Sequence, residues 1–79
     1  MNETQSIVAE TYVRYVPGRA AALDDDMFTL GGDSLSAVRI ILDLERRFGL
    51  TIPQETLLDH RSVRDLAAWI EARTAGPGQ

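Results

Sequence analysis

The residues of this chain whose types and spacing best suit a chemical role are those at positions 31–35, Gly-Gly-Asp-Ser-Leu. They come directly before a helical pattern of apolar residues. The first turn of a helix has unpaired backbone N–H groups and the positive end of the helix dipole, and both stabilise a phosphate. The hydroxyl of Ser34 stands at that point in the sequence. Ser34 is therefore a candidate site for a modification that contains a phosphate.

Ser34 also fits a purely structural role, because serine is a common N-cap whose hydroxyl accepts a backbone N–H of the first turn. Asp33 competes for that role and would leave the Ser34 hydroxyl facing solvent. Gly31 and Gly32 indicate either a turn with positive φ or the close approach of a partner or a phosphate to bare backbone. In the N-cap alternative the protein is a non-enzymatic helical interaction module, and Ser34→Ala lowers its stability.

The tetrapeptide Gly-Asp-Ser-Leu at 32–35 is also similar to the signature of the GDSL serine esterases, in which the serine is a nucleophile. Such a serine needs a nearby base, and that family has Asp-x-x-His near its C-terminus. Here the only histidine is His60, and Leu57 stands three residues before it. Since 79 residues are too few for the supporting α/β sheet, we reject this alternative and predict no catalytic residue.

No metal site is predicted either. The acidic run Asp24-Asp25-Asp26 lacks the alternating ligands, central glycine and terminal glutamate of a calcium-binding loop. His60 has no neighbouring ligands with which to form a closed site. We interpret the acidic run as a solvated surface segment.

Size and charge exclude several other classes of function. The 79 residues predict a single domain over 1–79, and the absence of cysteine means that any thiol the protein uses comes from outside the chain. The sequence has no secretion signal and no apolar run of membrane-spanning length, so we expect a cytoplasmic monomer. The net charge of −4 argues against binding to nucleic acid or anionic lipid, and favours a basic partner surface.

Apolar periodicity predicts an all-α fold, a small bundle of three main helices and one short helix. The first helix is expected over Glu3–Val16, ended by Pro17-Gly18, and the second from Ser34 to about Phe48, closed by Gly49. A short third helix is expected through Leu58 with Pro53 near its start. A capping box over 62–65 should open the last helix, and residues 74–79 are expected to be a disordered tail.

The same periodicity predicts which residues face the core. The residues expected at helical spacing are Ile7, Val8, Thr11, Tyr12, Tyr15 and Val16 in the first helix, Leu35, Val38, Ile41, Leu42, Glu45 and Phe48 in the second, and Val63, Leu66, Ala67 and Ile70 in the last. Arg39, Asp43, Arg46 and Arg47 are expected on the solvent face of the second helix. The long loop between the first two helices should be ordered and anchored by Leu23, Met27, Phe28 and Leu30.

Over about residues 7–70 the chain resembles the thiolation domains of nonribosomal peptide synthesis, the peptidyl carrier proteins of the acyl carrier protein superfamily. The segment 7–16, Ile-Val-Ala-Glu-Thr-Tyr-Val-Arg-Tyr-Val, resembles that family's first helix. The segment 25–35, Asp-Asp-Met-Phe-Thr-Leu-Gly-Gly-Asp-Ser-Leu, is similar to its loop and attachment motif. The segment 46–53 resembles the stretch after the second helix, and 62–67 fits the last helix, although His60-Arg61 stands where the family commonly has proline-threonine.

The resemblance implies that Ser34 is esterified with 4′-phosphopantetheine, taken from coenzyme A by a phosphopantetheinyl transferase. The cofactor-binding residues that it implies are Ser34, Asp33, Gly32 and Leu35, and the docking residues are Leu35, Ala37, Val38 and Arg39. Asp33 would orient the helix start and meet the transferase or its magnesium-bound coenzyme A. The implied partners also include an adenylating or loading enzyme and condensation or tailoring enzymes.

The residues next to Ser34 indicate the type of carrier. Asp33 stands where many elongation-module carriers have histidine, and it is shared with acyl and aryl carriers and some peptidyl carriers. Gly32 replaces the alanine or leucine usual in fatty acid and polyketide carriers, and so favours the peptidyl type. We therefore expect a non-enzymatic carrier of aminoacyl or peptidyl thioesters in the assembly of secondary metabolites such as antibiotics, with an acyl or aryl carrier as the alternative.

Overall fold

The computed structural model describes residues 1–18 and 20–74 and contains four helices: α1 (Glu3–Tyr15), α2 (Ser34–Phe48), α3 (Glu55–Asp59) and α4 (Val63–Thr74). Helix α1 packs against both α2 and α4. The predicted all-α bundle with one short helix is confirmed. No helix in this part of the chain is both long enough and apolar enough to cross a membrane.

The observed helix boundaries lie within about two residues of the expected ones. They differ at three places: the end of α1, the start of α3 and the end of α4. Helix α1 ends at Tyr15, and Val16 is its C-cap. The prediction for the third helix is wrong at its start, because the backbone is not yet helical at Pro53 and Ile52 is buried in the core ahead of the helix. The predicted tail is wrong at Thr74, which belongs to α4; its remaining residues, 75–79, lie outside the described residues.

Local signals explain where three of the helices begin or end. Asn2 and Gln5 form a capping box at α1, in which the side chain of each accepts a backbone N–H from the other. Helix α2 ends at Gly49, whose φ of 65° lies in the left-handed region that favours glycine, as the sequence predicts. At α4 the Ser62 hydroxyl accepts the N–H of Asp65 at 3.0 Å, which is one half of the predicted capping box.

The hydrophobic core lies between α1, α2 and α4, and the loop side chain of Met27 enters it. The fully buried side chains include Val8, Tyr12, Met27, Ile40, Leu44, Leu57, Val63, Leu66 and Ile70. All four inward positions predicted for the last helix are buried. In α1, Ile7 and Tyr15 are only half-buried at the edge of the core.

The predicted inner face of α2 is partly wrong. Ile40 and Leu44, which the periodicity did not select, are fully buried, whereas Leu35 and Leu42 are 57% and 51% exposed. The helix is therefore rotated about its axis relative to the expected orientation. The alternative that Leu35 belongs to the core is excluded, and Val38 is half-buried.

Asp43 was expected in solvent, but it joins α2 to α1. Its carboxylate accepts hydrogen bonds from Arg14 Nη1 at 3.0 Å, from the Tyr15 hydroxyl at 2.9 Å and from Arg47 Nε at 3.3 Å, and its side chain is only 13% exposed. Desolvation by itself raises the pKa of Asp43. The hydrogen bonds from Tyr15 and Arg47 and the charges of both arginines outweigh that effect and lower the pKa below its usual value.

The connection between α1 and α2 is held by the start of α4. The backbone N–H groups of Val63 and Arg64 donate to the carbonyls of Asp25 and Leu23 at 3.1 and 2.8 Å. These are first-turn donors without a partner inside their own helix, so the loop caps α4 and α4 fixes the loop. The buried Tyr12 hydroxyl donates to the carbonyl of Arg61 at 2.7 Å and ties both to α1.

The Asp43 contacts predict a stability effect that depends on pH. Asp43→Asn removes the charge that Arg14 and Arg47 face, and we expect it to lower the free energy of unfolding at pH 7 by about 1–2 kcal/mol. A lowered pKa stabilises the folded state above the unfolded value of about 3.9, and this contribution is lost as the pH falls through the folded pKa.

The two proteins should therefore keep their difference in stability down to about pH 4 and converge only as the pH falls further through the folded pKa of Asp43, when urea unfolding is followed by circular dichroism. Asp59→Asn is the control, since exposed Asp59 takes part in none of the ion pairs found among the described residues, and its effect should stay within about 0.5 kcal/mol. Equal stability of the Asp43 variant and the parent at pH 7 would refute the proposed contribution.

Candidate functional site

The predicted modification site lies at the N-terminus of α2, and Asp33 rather than Ser34 caps it. The Asp33 carboxylate accepts the backbone N–H of Ser36 at 2.9 Å and the Ser36 hydroxyl at 3.0 Å. These two hydrogen bonds lower the pKa of Asp33, so the cap is ionised at neutral pH. The alternative in which Ser34 is the N-cap is therefore wrong.

Ser34 is the first residue of α2, and its side chain lies at the surface. No hydrogen bond of the Ser34 hydroxyl is found within residues 1–18 and 20–74. Its Oγ is thus open to a reagent that approaches from solvent. The helix dipole favours an anion at this end of α2.

The two glycines before the cap do different things. Gly31 has a φ of 101°, a conformation that side-chain-bearing residues rarely adopt. At Gly32 the constraint is space: a Cβ would lie 2.8 Å from the carbonyl oxygen of Met27 and 2.8 Å from a methyl group of Val16, and would overlap the terminal methyl group of Met27. Gly32 therefore lets the chain pass directly over the core before α2 begins.

A groove of about 360 Å³ opens beside Ser34. Its walls come from the loop, from α2 and from α3, and it is lined by Phe28, Ser34, Ala37, Val38, Gln54, Glu55 and Leu58. Three of the residues predicted to bind the cofactor or a partner, namely Ser34, Ala37 and Val38, are thus brought together. Leu35 and Arg39 lie outside the groove on the exposed side of α2.

The far wall of the groove was not predicted from the sequence. Leu58 is 54% exposed, and Gln54 and Glu55 reach the groove because α3 lies across from the start of α2. On the loop side of the groove, the guanidinium of Arg61 lies over the ring of Phe28, 5.1 Å from its centroid. No local spacing could reveal these neighbours, since they depend on how the short helix packs.

Among residues 1–18 and 20–74, no basic side chain is hydrogen-bonded to the Ser34 hydroxyl as a base would be to a serine nucleophile. His60 is the C-cap of α3, and no group of three or more His, Cys, Asp or Glu side chains suited to holding a metal ion occurs in the described residues. The site therefore consists of an accessible hydroxyl, an ionised cap and an apolar groove.

Comparison with known proteins identifies the family. The sequence profile of the family described as "Phosphopantetheine attachment site" matches residues 7–70. The chain belongs to that family. The predicted cofactor of this carrier domain, 4′-phosphopantetheine, is thereby confirmed, as is the resemblance to peptidyl carrier domains.

Two relatives illustrate the sequence similarity. Indigoidine synthase of Streptomyces lavendulae is 30% identical over 73 residues, which cover 92% of this chain and 6% of that protein. Nonribosomal peptide synthetase kk1B of Curvularia clavata is 34% identical over 70 residues, which cover 89% of this chain and, to the nearest percent, 0% of that protein. The carrier domain thus spans a small part of the curated relatives it matches.

The fold agrees with that of solved carrier structures. A peptidyl carrier protein, in a structure of the transferase Sfp with coenzyme A and that carrier, has a TM-score of 0.87 at 23% identity, with 92% of this chain and 95% of that chain covered. At this level of identity the likeness establishes the shared fold.

The close packing at Gly32 predicts a loss of stability on substitution. Gly32→Ala forces Met27 and Val16 to move, and we expect the free energy of unfolding to fall by about 1–3 kcal/mol. Urea denaturation measures it. Gly18→Ala is the matched control, since a Cβ there meets only the flexible end of Leu30 at 3.2 Å. An equal loss for both variants would contradict a special steric role for Gly32.

The cap assignment predicts opposite outcomes at neighbouring positions. Asp33→Ala should lower the melting temperature at pH 7 by a few degrees, because the N–H of Ser36 loses its acceptor. Ser34→Ala should leave the melting temperature unchanged. Because the folded pKa of Asp33 is lowered, the deficit of Asp33→Ala should disappear as the pH falls through that pKa. Thermal melts of the three proteins test this, and a destabilised Ser34→Ala would contradict the assignment.

Proposed function

We propose that this chain is a non-catalytic carrier whose Ser34 is the attachment point of 4′-phosphopantetheine. The observation that carries the proposal is the exposed Ser34 hydroxyl at the first residue of α2, with the capping role taken by Asp33. A covalent group can be added to Oγ without removing a contact that the fold uses. Asp33 thus caps the helix, and the adjacent Ser34 provides the hydroxyl for attachment.

The attachment reaction is a phosphoryl transfer catalysed by a phosphopantetheinyl transferase. Ser34 Oγ attacks the phosphorus of coenzyme A that bears the pantetheine, and a base on the transferase takes the hydroxyl proton. The bond to the second phosphate breaks, and adenosine 3′,5′-bisphosphate leaves. The N-terminus of α2 would favour the negative charge of a phosphodiester on Ser34 Oγ.

The attached group supplies the thiol that the chain lacks, and an aminoacyl or peptidyl group is carried on it as a thioester. Tethering raises the effective concentration of that group at each enzyme of the pathway. We propose that an adenylating enzyme loads it and that condensation or tailoring enzymes use it in nonribosomal peptide assembly. Similarity to a nonribosomal peptide synthetase supports the peptidyl type over the acyl or aryl alternative.

The proposal extends to the rest of the predicted site. Asp33 fixes the start of α2, Gly32 allows the close turn before it, and Leu35, Ala37, Val38 and Arg39 lie where an enzyme that reaches Ser34 must contact the surface. We propose that residues 1–79 act as one carrier domain, as a monomer in the cytoplasm, where coenzyme A is available.

Intact mass spectrometry tests the attachment site. After incubation with coenzyme A, magnesium and a promiscuous phosphopantetheinyl transferase, the parent protein should gain one phosphopantetheine and Ser34→Ala none. Ser36→Ala is the matched control, because it removes a hydroxyl two residues away and should still be modified. A folded parent that stays unmodified with several transferases, or a modified Ser34→Ala, would refute the proposal.

A further inference from the structure

Ser36 binds the cap of α2 through both its backbone and its side chain. The N–H of Ser36 donates to Asp33 Oδ1 at 2.9 Å, and its hydroxyl donates to the same oxygen at 3.0 Å. Capping needs only the first of these hydrogen bonds, because any residue except proline at position 36 would supply the N–H. The hydroxyl of Ser36 therefore adds a contact that capping alone does not require.

The side chain of Ser36 lies on the side of α2 that faces the rest of the fold. Residues four and seven positions further along a helix share its face, and here these are Ile40, which is buried, and Asp43, which is paired with α1. Ser36 itself is half-buried, whereas Ser34 is exposed. An enzyme that approaches Ser34 from solvent therefore need not contact Ser36.

The carboxylate that Ser36 holds belongs to the residue next to the nucleophile. Asp33 is exposed, so a single hydrogen bond would hold its side chain in the capping rotamer only weakly. An adjacent donor for the carboxylate is the hydroxyl of Ser34, for which the described part of the chain offers no other hydrogen bond. A hydrogen bond from a hydroxyl to a carboxylate is charge-assisted and therefore strong. The two hydrogen bonds from Ser36 oppose this rearrangement.

A hydrogen bond from Ser34 to Asp33 would hinder the attachment reaction. In the transfer proposed above, a base on the transferase takes the proton of Ser34 Oγ as that oxygen attacks phosphorus. The O–H must therefore point at that base. A proton held by Asp33 points elsewhere, and a strong hydrogen bond has to break before the base can take it.

We propose that Ser36 is a positioning residue for the modification of Ser34. Its hydroxyl keeps the carboxylate of Asp33 over the first turn of α2 and thereby leaves the Ser34 hydroxyl open to the transferase. Ser36 acts through Asp33 and touches neither the transferred group nor the transferase. This inference rests on the function proposed above.

Single-turnover modification with an excess of a promiscuous transferase tests the role of Ser36, because product release does not limit the measured rate. For Ser36→Ala we expect the rate at saturating transferase to fall about fivefold, the size expected for one lost hydrogen bond. The transferase concentration that gives half of the maximal rate should stay unchanged. The variant should still gain one phosphopantetheine at the end of the reaction. Ser36→Thr keeps a hydroxyl and should restore the rate to within about twofold of the parent's.

A double-mutant cycle shows whether Ser36 acts through Asp33. In the Asp33→Ala background no carboxylate is left to hold, so the addition of Ser36→Ala should not change the rate further. An equally large loss of rate in that background would overturn the proposal, because Ser36 would then act on another group.

Ser62→Ala is the matched control for stability. It removes the hydroxyl that accepts the N–H of Asp65 at 3.0 Å at the start of α4. We expect it to lower the free energy of unfolding in urea at least as much as Ser36→Ala does, and to leave the rate of modification unchanged. A loss of rate that follows from lower stability alone would appear in both variants.

Nuclear magnetic resonance gives a readout that does not depend on the transferase. The three-bond couplings between the Hα and Hβ protons of Asp33 report the rotamer of its side chain. They should indicate one rotamer in the parent and in Ser62→Ala, and an average over several rotamers in Ser36→Ala. A single Asp33 rotamer in Ser36→Ala would overturn the proposal.

The outcomes separate this inference from the function on which it rests. A folded parent that no transferase modifies refutes the proposed function. A modified parent whose rate is the same in Ser36→Ala, or a loss of rate as large in Ser62→Ala, refutes only the positioning role. A change confined to the half-saturating concentration of transferase also overturns that role, because Ser36 would then contact the transferase.

Discussion

The structure depends on a mutual constraint between the long loop and the first turn of α4. The first-turn N–H groups of Val63 and Arg64 find acceptors in the loop carbonyls of Asp25 and Leu23, and α4 in turn holds the loop at these two residues. From this anchor the chain passes Met27, which enters the core, and reaches Gly32 at a point where no Cβ fits. The start of α2, and with it Ser34, is therefore positioned by backbone contacts that no side-chain substitution at Ser34 disturbs.

The helices and the attachment motif were predictable from the sequence because their signals are local. Gly49 closes α2 and Ser62 caps α4, and both work over four residues or fewer. The orientation of α2 was not predictable in the same way. Leu35 and Leu42 repeat at helical spacing on one side of α2, and the buried residues Ile40 and Leu44 repeat at helical spacing on the other. A hydrophobicity pattern cannot tell which of two apolar sides packs on the core.

The position of the polar residue Asp43 was also not predictable from the local sequence. A carboxylate on a helix with three nearby arginines is typical of a solvent-exposed face. The contacts of Asp43 with Arg14 and Tyr15, however, depend on how α1 crosses α2. Local spacing cannot reveal such contacts, because Asp43 stands 29 positions after Arg14 and 28 positions after Tyr15. The groove wall formed by Leu58 and Glu55 was missed for the same reason: a five-residue helix has little periodicity, and its position is set by tertiary packing.

The net charge of the protein does not describe the local charge on the exposed side of α2. From a net charge of −4 we expected a basic partner, and this would hold if the charges were spread evenly. On α2, however, Asp43 is paired with Arg14 of α1 and with Arg47 of α2 itself, so it does not offset the exposed charges of Arg39 and Arg46. At a Debye length of about 8 Å in physiological salt, a protein that approaches Arg39 and Arg46 responds to these two charges more than to acidic residues that lie farther away than that length. The interaction that joins α1 to α2 thus also leaves Arg39 and Arg46 as the exposed charges on the outer side of α2.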